Sequence, residues 1–486
     1  MAATLSFEEP PRPFGRDELC ANVVSLVSET TSPTVESPHG TSEMAHVAAG
    51  APTRPFWKSQ RSYILASVAG VVGLGNIWRF PYMAGQNGGG TFVLAYAICI
   101  LAIGIPIAVI EASAGNLYDR GPVGLFRHLN TRWGPLAGWF LVAMLVAIMS
   151  YYLVVSGWTL GYAVDSVRGE LRTFDEFTAG SNSLWYLFAI GALCLLVLLR
   201  GIRGLEATGR VLLPMLVVIV GGLAIYAQSL PGAAEARAFY FHFDGEILLH
   251  PHIWRMAASQ AFYSLAIGQG MLITYGSYVP DKVNVVTSST AVALTNAAVS
   301  ITAGLMVFPI VFTFGIAPDA GSALSFTAFP NVFGALAGGR LIGVAFYVLL
   351  FAAAFSSCIG GLVVVLAPIR DELRLSRPRA ALVAVGITVA LGVPSALSFS
   401  SYDLCIDGIP FLDFMDLVTG SGVVIVAGIL GAALISWMIP RNDLFNAMNA
   451  PVYVRGQLRY SAGWMIAVAR YLPVAAIMLI VVGSLF

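Results

Sequence analysis

Charge is what this chain has least of. Of its 486 residues only 11% are Asp, Glu, Lys or Arg, 26 of each sign, against 57% hydrophobic residues and a mean hydropathy of +0.80. A soluble protein of this length needs a far more polar surface, so the composition describes a polytopic membrane protein. Net charge is zero, and no basic cluster is interleaved with aromatics, which gives no case for nucleic acid. Cysteine is scarce: Cys20, Cys99, Cys194, Cys358 and Cys405 are scattered, with no CxxC pair and no histidine at ligand spacing. Neither a disulfide framework nor a zinc site is expected. Histidine is equally thin, with His39, His46, His128, His242, His250 and His252 in the N-terminal tail or near the ends of apolar runs and no HExxH. An intramembrane enzyme would need a buried nucleophile with its base, so an enzyme is not expected.

Apolar sequence is what the chain has in abundance. Runs long enough to cross a bilayer recur near 62–84, 91–114, 135–165, 183–200, 210–229, 254–278, 285–314, 336–370, 379–397, 410–439 and 464–485, about eleven in all. The expected fold is an all-α bundle of about eleven transmembrane helices. Residues 1–53 differ: Pro, Ser, Glu and Thr dominate, and no apolar core follows a basic start. They read as a disordered cytoplasmic tail rather than a signal peptide, and Met44 offers a shorter start. Arg54, Lys58 and Arg61 precede the first run, and Arg and Lys recur in every second connection thereafter, as at Arg120, Arg200, Lys282, Arg374 and Arg441. The positive-inside rule then puts the N-terminus in the cytoplasm, and an odd number of spans puts Phe486 outside.

The first run contains GVVGLGNIWRFP, residues 70–81. Glycines in a membrane helix commonly serve close helix packing, and that plainer reading stands for the glycines alone. Asn76 beside them at mid-span adds a second signal, because glycine loosens the helix and freed carbonyls must find partners other than lipid. A cation is such a partner. In the sixth run SLAIGQG, Ser264 to Gly270, again puts glycines and polar side chains at membrane depth. Paired glycine-interrupted helices in corresponding halves point to a midplane binding site between inverted repeats.

These residues carry a resemblance. GVVGLGNIWRFP followed by QNGGGTF is similar to the first helix and loop of the neurotransmitter:sodium symporter family. The likeness continues through SYYLVVSGWTLGY, RGIRGLEATGRVLLP, QAFYSLAIGQGMLITYGSYV, AAFSSCIGG, RDELRLSR and ARYLP. It covers nearly everything after residue 53 and implies two inverted five-helix repeats, over 54–230 and 231–440, with helices 1 and 6 broken. A cytoplasmic loop and helix 11 would fill 441–486. The implied activity is Na+-driven symport in the cell membrane.

The resemblance also implies the sites. A first Na+ would be held by the carbonyl of Val71, the side chains of Asn76, Ser264 and Asn296, and the substrate's carboxylate. A second would use the carbonyls of Ala69, Val72 and Ala353 with the hydroxyls of Ser356 and Ser357. Oxygen ligands suit a hard cation. FSSCIGG admits a one-residue slip, and the register taken puts serine, not Phe355, at the sodium position; hydroxyls bonded back to their own helix are the plainer alternative. The substrate pocket would have a backbone floor from Val71 to Gly75, Tyr152 as hydroxyl donor to a carboxylate, and walls of Ile148, Tyr263, Ser264, Ala266, Gln269, Ser357 and Gly361. Relatives that carry biogenic amines place Asp where this chain has Gly73, so an amino acid is favoured. Gln269 and Gly361 depart from the apolar residues common there and leave the side-chain preference open.

Gates follow by the same matching. Arg79 would pair through water with Asp416, Asp413 being the alternative, under a lid of Tyr152 and Tyr263. On the inner side Arg54 of RPFW would pair with Asp371, supported by Ser277 and Tyr278. Gly204 and Pro214 suggest an inner end of span five that unwinds readily, with a simple proline kink as the alternative. Chloride-independent relatives have a carboxylate at the position of Ser300, and a serine supplies no such charge. Tyr96, Gln260, Ser264, Asn296 and Ser300 would then converge on a chloride, unless the Ser300 hydroxyl is satisfied by its own helix. A channel or a non-transporting amino-acid sensor on the same fold is the rival function.

Overall fold

Lipid offers the backbone no hydrogen-bond partners, so apolar runs must satisfy their own amides and carbonyls as helices. The computed structural model describes residues 56–170, 172–280, 283–318, 326, 329–335, 338–449 and 462–483. A helix or an interrupted pair of helices stands at every apolar run. In chain order these are α1 (Gln60–Val71), α2 (Gly75–Gln86), α3 (Gly90–Tyr118), α4 (Gly134–Arg168), α5 (Asn182–Leu199) and α6 (Ile202–Ala227). There follow α7 (Pro251–Ser264), α8 (Met271–Gly276), α9 (Val285–Thr313), α10 (Gly339–Glu372), α11 (Arg377–Leu397), α12 (Phe411–Met438) and α13 (Ala462–Gly483). Among the described residues, 8 helices are long and apolar enough to cross a membrane, or 9 if α1 and α2 count as one bent span. α7 and α8 fall short singly, at 14 and 6 residues, with residues 265–270 between them.

α4 and α10 pack along one another and are buried over most of their length. α5 and α6 lie outside them and expose Trp185, Phe188, Val218 and Ile225, as a lipid-facing surface does. Helix α6 is continuous from Ile202 through Pro214, so the expected weak point is present in sequence while the helix is wound. Between α11 and α12 a short hairpin pairs Cys405–Ile406 with Ile409–Pro410. Asp407 and Gly408, at φ 50° and 78°, make its two-residue turn, which requires both residues in the left-handed region.

Two interruptions shape the centre. α1 stops where Val72 turns extended (φ −79°, ψ 106°), and α2 leaves at 53° to it, its first turn π-helical over Gly75–Arg79. Between α7 and α8 the chain passes through left-handed conformations at Ala266, Gly268 and Gly270. Gly268 is doubly constrained: φ is +73°, and a Cβ there would lie 2.3 Å from the backbone nitrogen of Gly428 on α12.

Candidate substrate and ion site

Each interruption frees backbone groups, and side chains from neighbouring helices meet them. At the α1–α2 break, Asn76 Oδ1 accepts the Gly73 N–H at 3.0 Å and Tyr152 Oη accepts the Leu74 N–H at 3.0 Å. Ser357 Oγ donates to the Val72 carbonyl at 3.4 Å, and Gln260 Nε2 donates to the Gly75 carbonyl at 2.7 Å. At the α7–α8 break, the Gly268 N–H donates to Glu111 Oε1 at 2.9 Å. Glu111 is 1% exposed, and its second carboxyl oxygen makes no hydrogen bond among the described residues.

The two breaks enclose a cavity of ≈ 40 Å³. Of the residues expected in the pocket, Val71, Gly73 and Gly75 of the first break, Ile148 and Tyr152 of α4, Tyr263, Ser264, Ala266 and Gln269 at the second, and Ser357 and Gly361 of α10 line it, while Val72 and Leu74 of the expected floor are not among its lining residues. Gly70, Met149 and Met271 line it as well. The room left by Gly361 is already taken, since a Cβ there would meet Met149 Sδ at 2.4 Å.

Beside the cavity lies a buried polar cluster. Asn76 Nδ2 donates to Asn296 Oδ1 at 2.8 Å, to the Asn296 carbonyl at 3.1 Å and to Ser300 Oγ at 2.8 Å. Asn296 Nδ2 donates to Ser264 Oγ at 3.1 Å, and the Tyr96 hydroxyl lies 3.2 Å from Ser264 Oγ and 3.3 Å from Ser300 Oγ. Asn76, Ser264 and Asn296 of the expected first sodium set thus meet, and Val71 stands in the adjoining wall. Tyr96, Ser264, Asn296 and Ser300 of the expected chloride set share the same network. Gln260 is engaged elsewhere, between the Gly75 carbonyl and Arg79 Nη1, which donates to Gln260 Oε1 at 2.7 Å. The Ser300 hydroxyl also reaches its own helix, donating to the Asn296 carbonyl at 3.2 Å.

Of the expected second sodium set, Ser357 meets the first break, whereas the Ser356 hydroxyl is bonded back to its own helix, the plainer of the two readings. Ser357 bonds the Val72 carbonyl as above, Ser356 Oγ donates to the Ala353 carbonyl at 3.0 Å, and Ala69 and Ser356 line one small cavity with Thr208 and Gly209 of α6. The donors this chain itself supplies to both sets are neutral oxygens, which suits a hard cation such as Na+.

Arg79 is 1% exposed and lies 4.6 Å over the ring of Tyr263. Besides Gln260 it donates to Ser421 Oγ at 2.8 Å, while Asp416 Oδ1 accepts from Tyr151 at 2.8 Å. Among the described residues Arg79 and Asp416 form no direct ion pair; each bonds other side chains. Arg54 lies outside the described residues. Trp57, three residues further on, is buried, donates through its backbone to the Tyr278 carbonyl at 2.8 Å and through Nε1 to the Tyr275 carbonyl at 3.0 Å. Asp371 accepts from Arg370 at 2.9 Å and lines a polar cavity of ≈ 470 Å³ with Asp119, Arg120 and Arg127, while the Ser277 hydroxyl donates to the Thr274 carbonyl.

Sequence reasoning missed Glu111, Tyr151, Met149 and Met271. Glu111 had a usable signal, for it is the one charged residue in the run 91–114, and an intramembrane carboxylate is a functional candidate by default. The methionines had none, because an apolar side chain in an apolar run says nothing of which way it faces.

A membrane bundle with two interrupted helices, a cavity between them and oxygen-rich clusters against it has the architecture of a secondary transporter. A profile of the Sodium:neurotransmitter symporter family matches residues 54–183 and 174–485, and the chain belongs to that family of sodium-dependent transporters. It is 32% identical over 79% of its length to the uncharacterised sodium-dependent transporter YhdH of Bacillus subtilis, of which the match spans 87%. It is 33% identical to the sodium-dependent neutral amino acid transporter B(0)AT2 of Bos taurus over 53% of this chain and 40% of that one. Among solved structures, MhsT in complex with L-phenylalanine superimposes with a TM-score of 0.80 at 34% identity, over 88% of this chain and 99% of that chain.

Proposed function

We propose that this protein is a Na+-coupled symporter of a neutral amino acid that works by alternating access. The observation that carries the reading is the convergence of both helix breaks on one cavity, with Asn76, Ser264 and Asn296 beside it. Freed backbone groups in the floor suit a zwitterion, and Gly73 leaves the carboxylate to be supplied by the substrate. The names of B(0)AT2 and of the MhsT complex support an amino acid as the substrate. On this reading the chain crosses the membrane about eleven times, with its N-terminus in the cytoplasm and Phe486 outside. Its halves, 54–230 and 231–440, are inverted repeats that rock about the site.

Two Na+ are carried, one at Val71, Asn76, Ser264 and Asn296, the other at Ala69, Val72, Ala353, Ser356 and Ser357. Two charges moving with a zwitterion supply about 4.6 kcal/mol per 100 mV, on the order of a thousandfold accumulation, and a chloride carried along with them would halve that driving energy. Arg79 and Asp416 close the outer side, and Arg54 with Asp371 the inner. Chloride joins the first sodium site at Tyr96, Ser264, Asn296 and Ser300, with Gln260 reaching it once released from Gly75, to balance a charge that no carboxylate offsets.

The test is tracer uptake of neutral amino acids into proteoliposomes with an inward Na+ gradient. Uptake that vanishes when choline replaces Na+ is expected. Tight Na+-dependent binding without uptake would make the protein a sensor, and uptake indifferent to Na+ would refute the coupling.

A further inference from the structure

The cavity between the two breaks is small, ≈ 40 Å³. The side chain that takes up the adjoining space is Met149, which faces the cavity from α4 between Ile148 and Tyr152. A Cβ built on Gly361 would lie 2.4 Å from Met149 Sδ and 3.1 Å from both Cγ and Cε. The thioether therefore sits in the notch that the missing side chain of Gly361 leaves on α10, and Gly361 itself lines the cavity. Met271 lines the cavity too, but its methyl is wedged between two helices, 2.1 Å from a Cβ position on Gly70 and 2.7 Å from one on Gly360. An unbranched thioether changes rotamer at low cost and makes favourable contacts with aromatic rings.

We propose that Met149 and Gly361 form the size gauge of the pocket: the thioether fills the Gly361 notch around a small substrate and yields it to a large apolar side chain, aromatic ones included. The proposal rests on the amino-acid symport reading and names the substrate class of that site.

A double-mutant cycle tests it, read as Na+-dependent thermal stabilisation of the purified protein by alanine, leucine, phenylalanine and tryptophan. Met149→Ala empties the notch, and the ratio of tryptophan to alanine affinity should rise about tenfold or more, the discrimination expected of a methylene or more in an apolar pocket. Met149→Val should shift the ratio less in the same direction, and the unliganded melting temperatures of both variants check folding. Gly361→Ala drives its Cβ into the thioether and should lower the same ratio in the wild-type background. In the Met149→Ala background that loss should disappear, because nothing remains to be displaced. An unchanged ratio in both Met149 variants, or an equal effect of Gly361→Ala in both backgrounds, would overturn the gauge while leaving symport standing. Wild-type protein that no amino acid stabilises in Na+ would overturn the symport reading and the gauge with it.

Discussion

Gly73→Ala is the most informative single substitution at the first break. A Cβ at this position would lie 2.2 Å from Ser357 Oγ and 2.6 Å from the Tyr152 hydroxyl. Neither distance is tolerable, so both side chains must move. Tyr152 then releases the Leu74 N–H, which it holds at 3.0 Å, and a buried amide left unpaired costs about 1–3 kcal/mol. Ser357 loses its 3.4 Å bond to the Val72 carbonyl, worth about 0.5–1.5 kcal/mol. Together these come to about 1.5–4.5 kcal/mol of stability in the unliganded protein. Because Ser357 belongs to the proposed second sodium site and Tyr152 to the substrate pocket, moving both should also weaken both ligands, by roughly tenfold or more. The assay is amino-acid-induced thermal stabilisation titrated at several Na+ concentrations, with size-exclusion chromatography to check that the variant folds. Gly221→Ala is the control: a Cβ there meets nothing within 4 Å on the outer helix α6, and helix propensity favours it by about 0.5–1 kcal/mol. Affinities for Na+ and substrate within about twofold of wild type in Gly73→Ala would refute this reasoning.

Asn76→Ala should weaken Na+ and substrate together by roughly tenfold or more, since it removes a proposed ligand and three hydrogen bonds to Asn296 and Ser300; a change in one ligand alone, seen by paired Na+ and substrate titrations, would separate what the geometry joins. Glu111→Leu strips the acceptor from the Gly268 N–H and should lower stability by about 1–3 kcal/mol, whereas Glu111→Gln keeps an acceptor and should cost less; denaturation midpoints that rank the two the other way would show that the bond does not hold the second break. Ser300→Glu supplies a fixed negative charge beside Asn76 and should sustain uptake in gluconate medium, where wild-type uptake should fall; full wild-type uptake without chloride would remove the need for an anion.

The spans were legible because lipid imposes a length and a composition that no packing arrangement can override. The breaks were legible for a related reason. Glycine with asparagine at mid-span is costly unless the freed groups have partners, so GVVGLGN announces partners without naming them. Some partners came through resemblance, as Tyr152 and Ser357 did. Others lie on helices distant in sequence, and nothing local marks them: Tyr151 rather than its neighbour bonds Asp416, and Gln260 spends its amide on Gly75 and Arg79. Met149 shows the limit most plainly. Its sequence neighbours Ile148 and Ser150 are buried as well, Ile148 in the same cavity wall, and only the facing of α4 against a glycine on α10 shows that Met149 shapes the cavity too.

The break in the first helix works as a junction because its backbone groups are each held from a different side. Val72 is tied to α10 through Ser357, Leu74 to α4 through Tyr152, Gly75 to α7 through Gln260, and Gly73 to Asn76 within its own segment. Those ties are neutral hydrogen bonds of modest net strength, about 0.5–1.5 kcal/mol each, in a place where leaving any of them unmade is expensive. A cation at the carbonyls and a carboxylate at the amides make stronger, charge-assisted replacements. Binding can therefore exchange partners at the junction without exposing a bare polar group to the membrane interior. α4 and α10, which carry Tyr152 and Ser357, also form the buried centre of the bundle. On the proposed reading an exchange at the break reaches α4 and α10 directly through Tyr152 and Ser357, and coupling between ion and substrate would need no longer path than the residues between Val72 and Gly75.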